Sequence, residues 1–488
     1  MRKSKVDFAA IGLQLVADKC REEFFYFVKT FWDVVIKEPP VYNWHIPFLC
    51  AELQFLSKSI VAREAKPYDL IINIPPGTTK STITTIMFPA WLWTQDPTIR
   101  IITNSYSADL SIEHAIKSRD IITSDKFRVL FPNVVIRRDK SAKSSYENTL
   151  TGARYTTSTG GTITGKHAHI IINDDPLNPA QAASEADRKT ANDHTKTLSS
   201  RKVDKLNTPT ITIMQRLHDM DPTGYILSKK ADKVKHVCLP AEASGNVKPA
   251  ILRSKYIDGL LDPIRLSREI LAEQLIDLGS RGYAGQYEQN PVAEGGNIVK
   301  QEWFGHISRA EFNRLHNGEP IVFFADTAFT EKTENDPSGL IATCKIGNDL
   351  YVTNAKKVYM KFPDLIRFMP GYVAENGYTD RSSIRIEPKA NGISVVDQMK
   401  ETTKLNVTKT PTPTDSKETR LNAASPTIEC GRVILVDGPW NEELTEEICG
   451  FPAKEHDEYV DLICYAIDHH IKPFRKPIDK RRTASAVY

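Results

Sequence analysis

Apolar residues recur at helical spacing in FFYFVKTFWDVVI (24–36) and IPFLCAELQFL (46–56), with Pro39-Pro40 between them, so residues 1–66 are expected to be helical. The pattern then changes. LIINI (70–74) is a short, mostly apolar run followed by the turn PPGTT and a segment compatible with a helix. Similar runs recur at IRIIT (99–103), HIIIN (169–173) and TITIM (210–214), with helical stretches between. Strands that are apolar on both faces and alternate with helices predict a parallel sheet covered on both sides. From about 240 to 300, Pro240, Gly245, Pro249, Gly295 and Gly296 punctuate an irregular stretch. A second strand-rich block opens at IVFFAD (321–326) and continues through GLIATCKI (339–346), LYVTNAKKVY (350–359) and SIRIE (383–387). Two of its strands meet at GND (347–349) as a hairpin, and the helical stretch YVDLICYAIDHHI (459–471) closes the block.

The expected organisation is therefore two α/β domains. The first spans 1–240, as a helical segment 1–66 and a core 67–240. A connecting subdomain at 241–316, a second domain at 317–472 and a basic tail at 473–488 follow. A chain of 488 residues is long enough for two cores. A net charge of only +3 neither requires nor excludes nucleic acid, because a basic channel can hide inside a balanced total. The seven cysteines are scattered and form no Cys-x-x-Cys, which argues against a zinc ribbon or a disulfide framework. No apolar run is long enough to span a bilayer, and the start MRKSKVDFAA does not read as a secretory signal, so a cytosolic protein is expected.

Two groups of residues carry chemistry. PPGTTKST (75–82) lies where a strand meets a helix. That junction suits a phosphate, because backbone N–H groups at a helix start face the anion. The loop Pro76, Gly77, Thr78, Thr79, Lys80, Ser81 and Thr82 is the candidate ATP-binding segment. Lys80 is placed for the phosphates and Ser81 for Mg²⁺. The usual P-loop has glycines where this chain has Ile74 and Thr79, so a simple turn with a surface lysine also fits the residues. About ninety residues on, HIIINDDP (169–176) is an apolar strand ending in two carboxylates. Asp174 is assigned to Mg²⁺ and Asp175 to the attacking water, with Asn173 leaving the register open by one residue. Gln215 and Arg216, at the end of TITIM, are candidates to sense the γ-phosphate and couple its loss to movement.

The second group is acidic. Asp326 ends IVFFAD, Glu387 ends SIRIE, and Asp461 lies on the last helix. They are about sixty and seventy-four residues apart, so only folding can gather them. Converging carboxylates of this kind can hold two divalent cations for phosphodiester hydrolysis, with Mg²⁺ or Mn²⁺ expected. Asp457, four residues before Asp461, is expected on the same helix face as a further ligand.

The order NWHIPFL (43–49), NIPPGTTKST (73–82), ITNSYSADLS (102–111), DKFRVLFP (125–132), STGGTITGKHAHIIINDDP (158–176) and MQRLHDMDPTG (214–224) resembles the large terminase of tailed bacteriophages. The likeness continues through YAGQYEQNPVAEGGNIVKQEWF (283–304) and covers roughly residues 25 to 470. It implies a P-loop ATPase of the additional-strand type, like helicases and translocases, with a central parallel sheet. It also implies an RNase H-like nuclease with a mixed sheet, holding Asp326, Glu387 and Asp461. A trans-acting basic finger is implied as well, with Lys166 and Arg154 as candidates, and an adenine contact at Trp44 and His45. The implied partners are duplex phage DNA, a portal protein, a small terminase subunit and further copies of the chain in a ring on the procapsid. The implied place is the host cytoplasm. Basic clusters at 253–256, 137–143 and 472–482 are candidate DNA contacts. Two other readings share these residues. A helicase or repair translocase with an accessory nuclease would need a second helicase core, and no motif after residue 240 supplies one. A DNA-binding or capsid protein with decayed ATPase motifs is kept open by the glycines missing at 74 and 79.

Overall fold

The computed structural model describes residues 8–291, 298–327, 337–360, 362–388, 392–413, 415–454 and 456–471; the basic tail 473–488 lies outside the described residues. The chain divides into two compact units, Met1–Glu294 and Gly295–Tyr488.

The first unit is built on an eight-stranded sheet: β1 (Asp69–Asn73), β2 (Arg100–Ser105), β3 (Ile136–Ser141), β4 (Ser145–Asn148), β5 (Ala153–Ser158), β6 (Ile170–Asp174), β7 (Thr210–Met214) and β8 (Val234–Cys238). Its order is β3-β4-β5-β2-β6-β7-β1-β8. The six strands from β5 to β8 in that order are parallel, and β3 and β4 add an antiparallel edge. β7 lies between β1, which feeds the phosphate loop, and β6, which ends in the acids, so the added strand is present. Leu70, Ile71, Ile72, Ile170, Ile171 and Ile172 are buried because helices cover both faces, which explains why these strands read as unbroken apolar runs. The N-terminal segment forms helices Phe8–Glu22, Phe24–Val35 and His45–Ala62, whose apolar faces join the main core.

The stretch expected to connect the domains is divided between the units. Ala241, Leu260, Leu261, Tyr283 and Tyr287 pack into the core of the first. Within it, a helix over Arg268–Gln286 escapes periodicity because Gly279, at φ 67° and ψ 169°, kinks it in mid-course.

The second unit contains β9 (Gly305–Ile307), β10 (Val322–Asp326), β11 (Ser338–Ile346), β12 (Asp349–Val358), β13 (Ser383–Ile386), β14 (Val407–Lys409) and β15 (Val433–Val436), in the order β14-β13-β10-β11-β12-β15-β9. β10, β11 and β12 form an antiparallel meander, and β13 and β14 extend it in parallel beyond β10. This mixed sheet is RNase H-like. The hairpin turns at Gly347, whose φ of 62° suits a residue without Cβ. The helix Glu458–His470 is buried throughout Tyr459–Ile467, in the same hydrophobic core as Phe324 and Ile341, which holds Asp461 near the end of β10. Among the described residues no helix is long and apolar enough to cross a membrane.

Candidate functional sites

In the first unit, β1 leads into the phosphate loop and a π-helical turn, Thr82–Met87, follows it. Gly77 and Thr79 have φ of 76° and 62°. The second value is unusual for a β-branched residue and coincides with the position of the missing glycine, so the backbone keeps a glycine-like path with a threonine in it. Lys80 Nζ lies 3.0 Å from Asp175 Oδ1, and Ser81 Oγ donates to Asp174 Oδ1 at 3.0 Å. Asp174 is buried, and burial together with the charge of Asp175 raises it to about 7. The Asn173 side chain faces away from the phosphate loop, accepting from Asn104 Nδ2 at 2.7 Å and donating to Thr195 Oγ1 at 3.4 Å. Alternation along the strand therefore aims Asp174 at Ser81.

Two residues at this acid were not legible locally. Thr85 Oγ1 donates to Asp174 Oδ2 at 2.7 Å, one helical turn beyond Ser81, and that spacing is the only signal for it. His114 Nδ1 stands 3.5 Å from the same oxygen and has no local signal. Burial, then Arg154, push His114 down to about 4, so it is neutral at pH 7.

The remaining expected residues fall out differently. Gln215 is buried, and its backbone N–H donates to Asp175 Oδ1 at 3.3 Å, so the end of β7 does touch the acid pair. Arg216 turns away. Its Nε donates to Asp221 Oδ2 at 2.9 Å, and Asp221 also accepts from the N–H groups of Leu217 and Gly224 at 3.0 and 2.9 Å. Arg216 thus ties up its own loop. Lys166 is exposed and lies 4.6 Å from the centre of the Tyr155 ring. Arg154 must be corrected as a finger candidate: only 1% exposed, it donates from Nη2 to the Thr85 carbonyl at 2.8 Å and cannot reach a neighbouring subunit. His45 is likewise corrected as an adenine contact. Its ring is buried, with Nε2 3.2 Å from the Thr78 carbonyl and Nδ1 3.2 Å from Asn43 Nδ2, so both nitrogens are engaged. Burial pushes it down to about 4. The neutral ring braces the phosphate loop from behind. Trp44 is half-buried, its ring 5.6 Å from that of Tyr256.

In the second unit, Asp326, Glu387 and Asp461 bring carboxylate oxygens within 4.8 Å of one another. β10 and β13 are adjacent and parallel, so their ends lie side by side, and the closing helix brings the third acid. Burial, then Glu387, raise Asp326 to about 7; burial raises Asp461 too, against the opposing pull of Lys417 and Arg420. Buried carboxylates that repel one another suit a divalent cation, whose charge would relieve the strain. Asp457 does not join them. The helix starts at Glu458, leaving Asp457 before its first turn, and the Asp457 carboxylate is held by Lys417 Nζ at 2.5 Å. Lys417 and Arg420, on the helix Lys417–Glu429, were not foreseen, since charges three residues apart on a polar helix face carry no signal of what they meet.

Residues 378–470 match the family model described as the terminase RNase H-like domain. This stretch of the chain is similar to the RNase H-like domain of terminases. The match includes Glu387 and Asp461 and begins beyond Asp326. No curated protein matches the sequence. Similar solved structures include the large terminase of a thermophilic bacteriophage, at 12% identity over 85% of this chain and 98% of that one, with a TM-score of 0.48. Another is the HK97 bacteriophage large terminase, at 11% identity over 85% and 88%, with a TM-score of 0.36. The human cytomegalovirus terminase nuclease domain is similar over 35% of this chain and 96% of that one, at 13% identity and a TM-score of 0.27.

Proposed function

We propose that this chain is a terminase relative that couples ATP hydrolysis in its first unit to movement of duplex DNA, and cuts that DNA with its second unit to begin and end packaging. The observation that supports the nuclease most directly is the convergence of Asp326, Glu387 and Asp461 from three separate elements to within 4.8 Å. Two divalent cations there, Mg²⁺ or Mn²⁺, would supply an activated water and stabilise the leaving oxygen. Asp326, Glu387 and Asp461 would hold them.

In the first unit, Lys80 would leave Asp175 for the phosphates of ATP, and Ser81 with Asp174 would hold Mg²⁺. Asp175, freed from Lys80, would then orient the attacking water. Gln215, bonded to Asp175 through its backbone, would carry the loss of the γ-phosphate towards the loop 215–221. Lys166 is the remaining candidate for a finger acting on a neighbouring copy, and Trp44 for an adenine contact. The proposed partners are duplex DNA, a portal protein, a small terminase subunit and other copies of the chain in a ring, in the host cytoplasm.

The test is a pair of variants. Asp175→Ala is expected to abolish ATP hydrolysis while sparing Mn²⁺-dependent nicking of plasmid DNA, and Asp326→Ala to do the reverse. Loss of both activities from either change, in a protein with native circular dichroism, would contradict two separate sites.

A further inference from the structure

Both carboxylate oxygens of Asp461 are ion-paired. Lys417 Nζ lies 3.0 Å from Oδ2, and an Arg420 guanidinium nitrogen lies 2.5 Å from Oδ1. Each pairing neutralises part of the carboxylate charge and crowds the oxygen it faces, so Asp461 is a weaker metal ligand while these two side chains stay where they are. They also place two positive charges beside the cluster, which disfavours an incoming divalent cation.

The two side chains differ in where they can go. Lys417 has a second seat ready, because Nζ also lies 2.5 Å from Asp457 Oδ1, outside the cluster. Lys417 is 26% exposed and Asp457 39%, so that seat faces solvent. Arg420 is 12% exposed, with its guanidinium 5.5 Å from the centre of the Tyr465 ring, one helical turn beyond Asp461. Arginine's planar fork suits a phosphodiester better than a single carboxylate oxygen. The charges point the same way. Asp326, Glu387, Asp461 and Asp457 carry four negative charges when ionised, and Lys417 and Arg420 cancel two of them. One divalent cation would then bring the group to neutrality, while a second would leave it positive unless a DNA phosphate came too.

We infer that Lys417 and Arg420 are an internal counter-cation that withholds Asp461 from metal until a DNA phosphodiester draws the two side chains away. The inference rests on the nuclease reading above and adds its regulation. Cutting is thereby tied to the presence of DNA at the acidic cluster, and free cation alone does not complete the site.

The experiment is calorimetric titration of Mn²⁺ into the full chain without nucleotide, alone and with a short phosphorothioate duplex that resists cleavage. Asp326→Ala serves as the blank. The wild type is expected to bind Mn²⁺ weakly alone and about tenfold more tightly with the duplex. Lys417→Met with Arg420→Met is expected to bind Mn²⁺ about tenfold more tightly than wild type without DNA, and to lose most of the duplex effect. A damaged fold would weaken binding, so the expected gain separates the gate from mere disruption. Lys417→Arg, which keeps the charge, should behave as the wild type. Equal or weaker Mn²⁺ binding by the double variant, or a wild type indifferent to the duplex, overturns the gate. A wild type that titrates like Asp326→Ala even with the duplex would instead overturn the nuclease reading itself.

Discussion

Asp326→Asn should make the metal-free second unit more stable at pH 8, although it removes a proposed metal ligand. Asp326 has an ordinary value of 3.8 and is raised to about 7 by burial and by Glu387. Between those values the folded protein holds a proton that the unfolded chain has released. Stability therefore falls as pH rises from about 4 to about 7 and stays low above that. At about 1.4 kcal/mol per pH unit this rise sets a ceiling of about 4 kcal/mol, and relaxation of the buried site brings the expected effect to about 2 kcal/mol. Asparagine carries no charge at any of these values and escapes the loss. The assay is urea unfolding of the full chain in a chelator at pH 5 and pH 8, followed by hydrogen exchange in peptides from 295–471 so that the second unit is read apart from the first. The variant should gain about 2 kcal/mol over wild type at pH 8 and much less at pH 5. Added Mn²⁺ should stabilise the wild type more than the variant. A variant less stable than wild type at pH 8, or wild-type stability that is flat across this range, would refute the reasoning.

Other consequences are equally direct. Thr79→Gly should relieve a left-handed threonine worth about 1–2 kcal/mol, largely offset by the greater freedom of glycine in the unfolded chain. Stability should thus stay within about 1 kcal/mol of wild type, with ATP binding by calorimetry no weaker; a loss above about 2 kcal/mol would mean the threonine side chain is needed. His45→Leu leaves the buried Thr78 carbonyl without its ring partner, at about 1–3 kcal/mol, and should weaken ATP and GTP alike. A change in preference between the two nucleotides would instead return His45 to an adenine contact. Lys357→Met should cost about 3–5 kcal/mol, because Glu447 and Glu458, 2.5 and 2.9 Å from its Nζ, would be left buried and uncompensated. Adding Glu447→Gln should recover part of that loss in urea unfolding, and no recovery would place the effect in packing.

Local pattern was enough to find the strands that are buried on both faces. β1, β6 and β7 read as apolar runs because helices cover them on each side, and their ends carry Lys80, Ser81, Asp174 and Gln215 into one place. β10 and β13, with Asp326 and Glu387 at or just beyond their ends, were legible for the same reason. β3 was not: its Arg-Arg-Asp-Lys run lies on an exposed antiparallel edge where no apolar face is required. Charge and hydrogen bonding were decided at longer range. Whether Arg154 reaches a neighbour or lies under Thr85, whether His45 meets a base or the Thr78 carbonyl, and whether Asp457 joins Asp461 or Lys417 all depend on groups 33 to 69 residues away. Helical and strand periodicities come from contacts within a few residues along the chain, so sequence alone could name these side chains and assign the elements that carry them. Their partners, and so their roles, depend on which elements the sheet order sets side by side, and only the packed structure decides that.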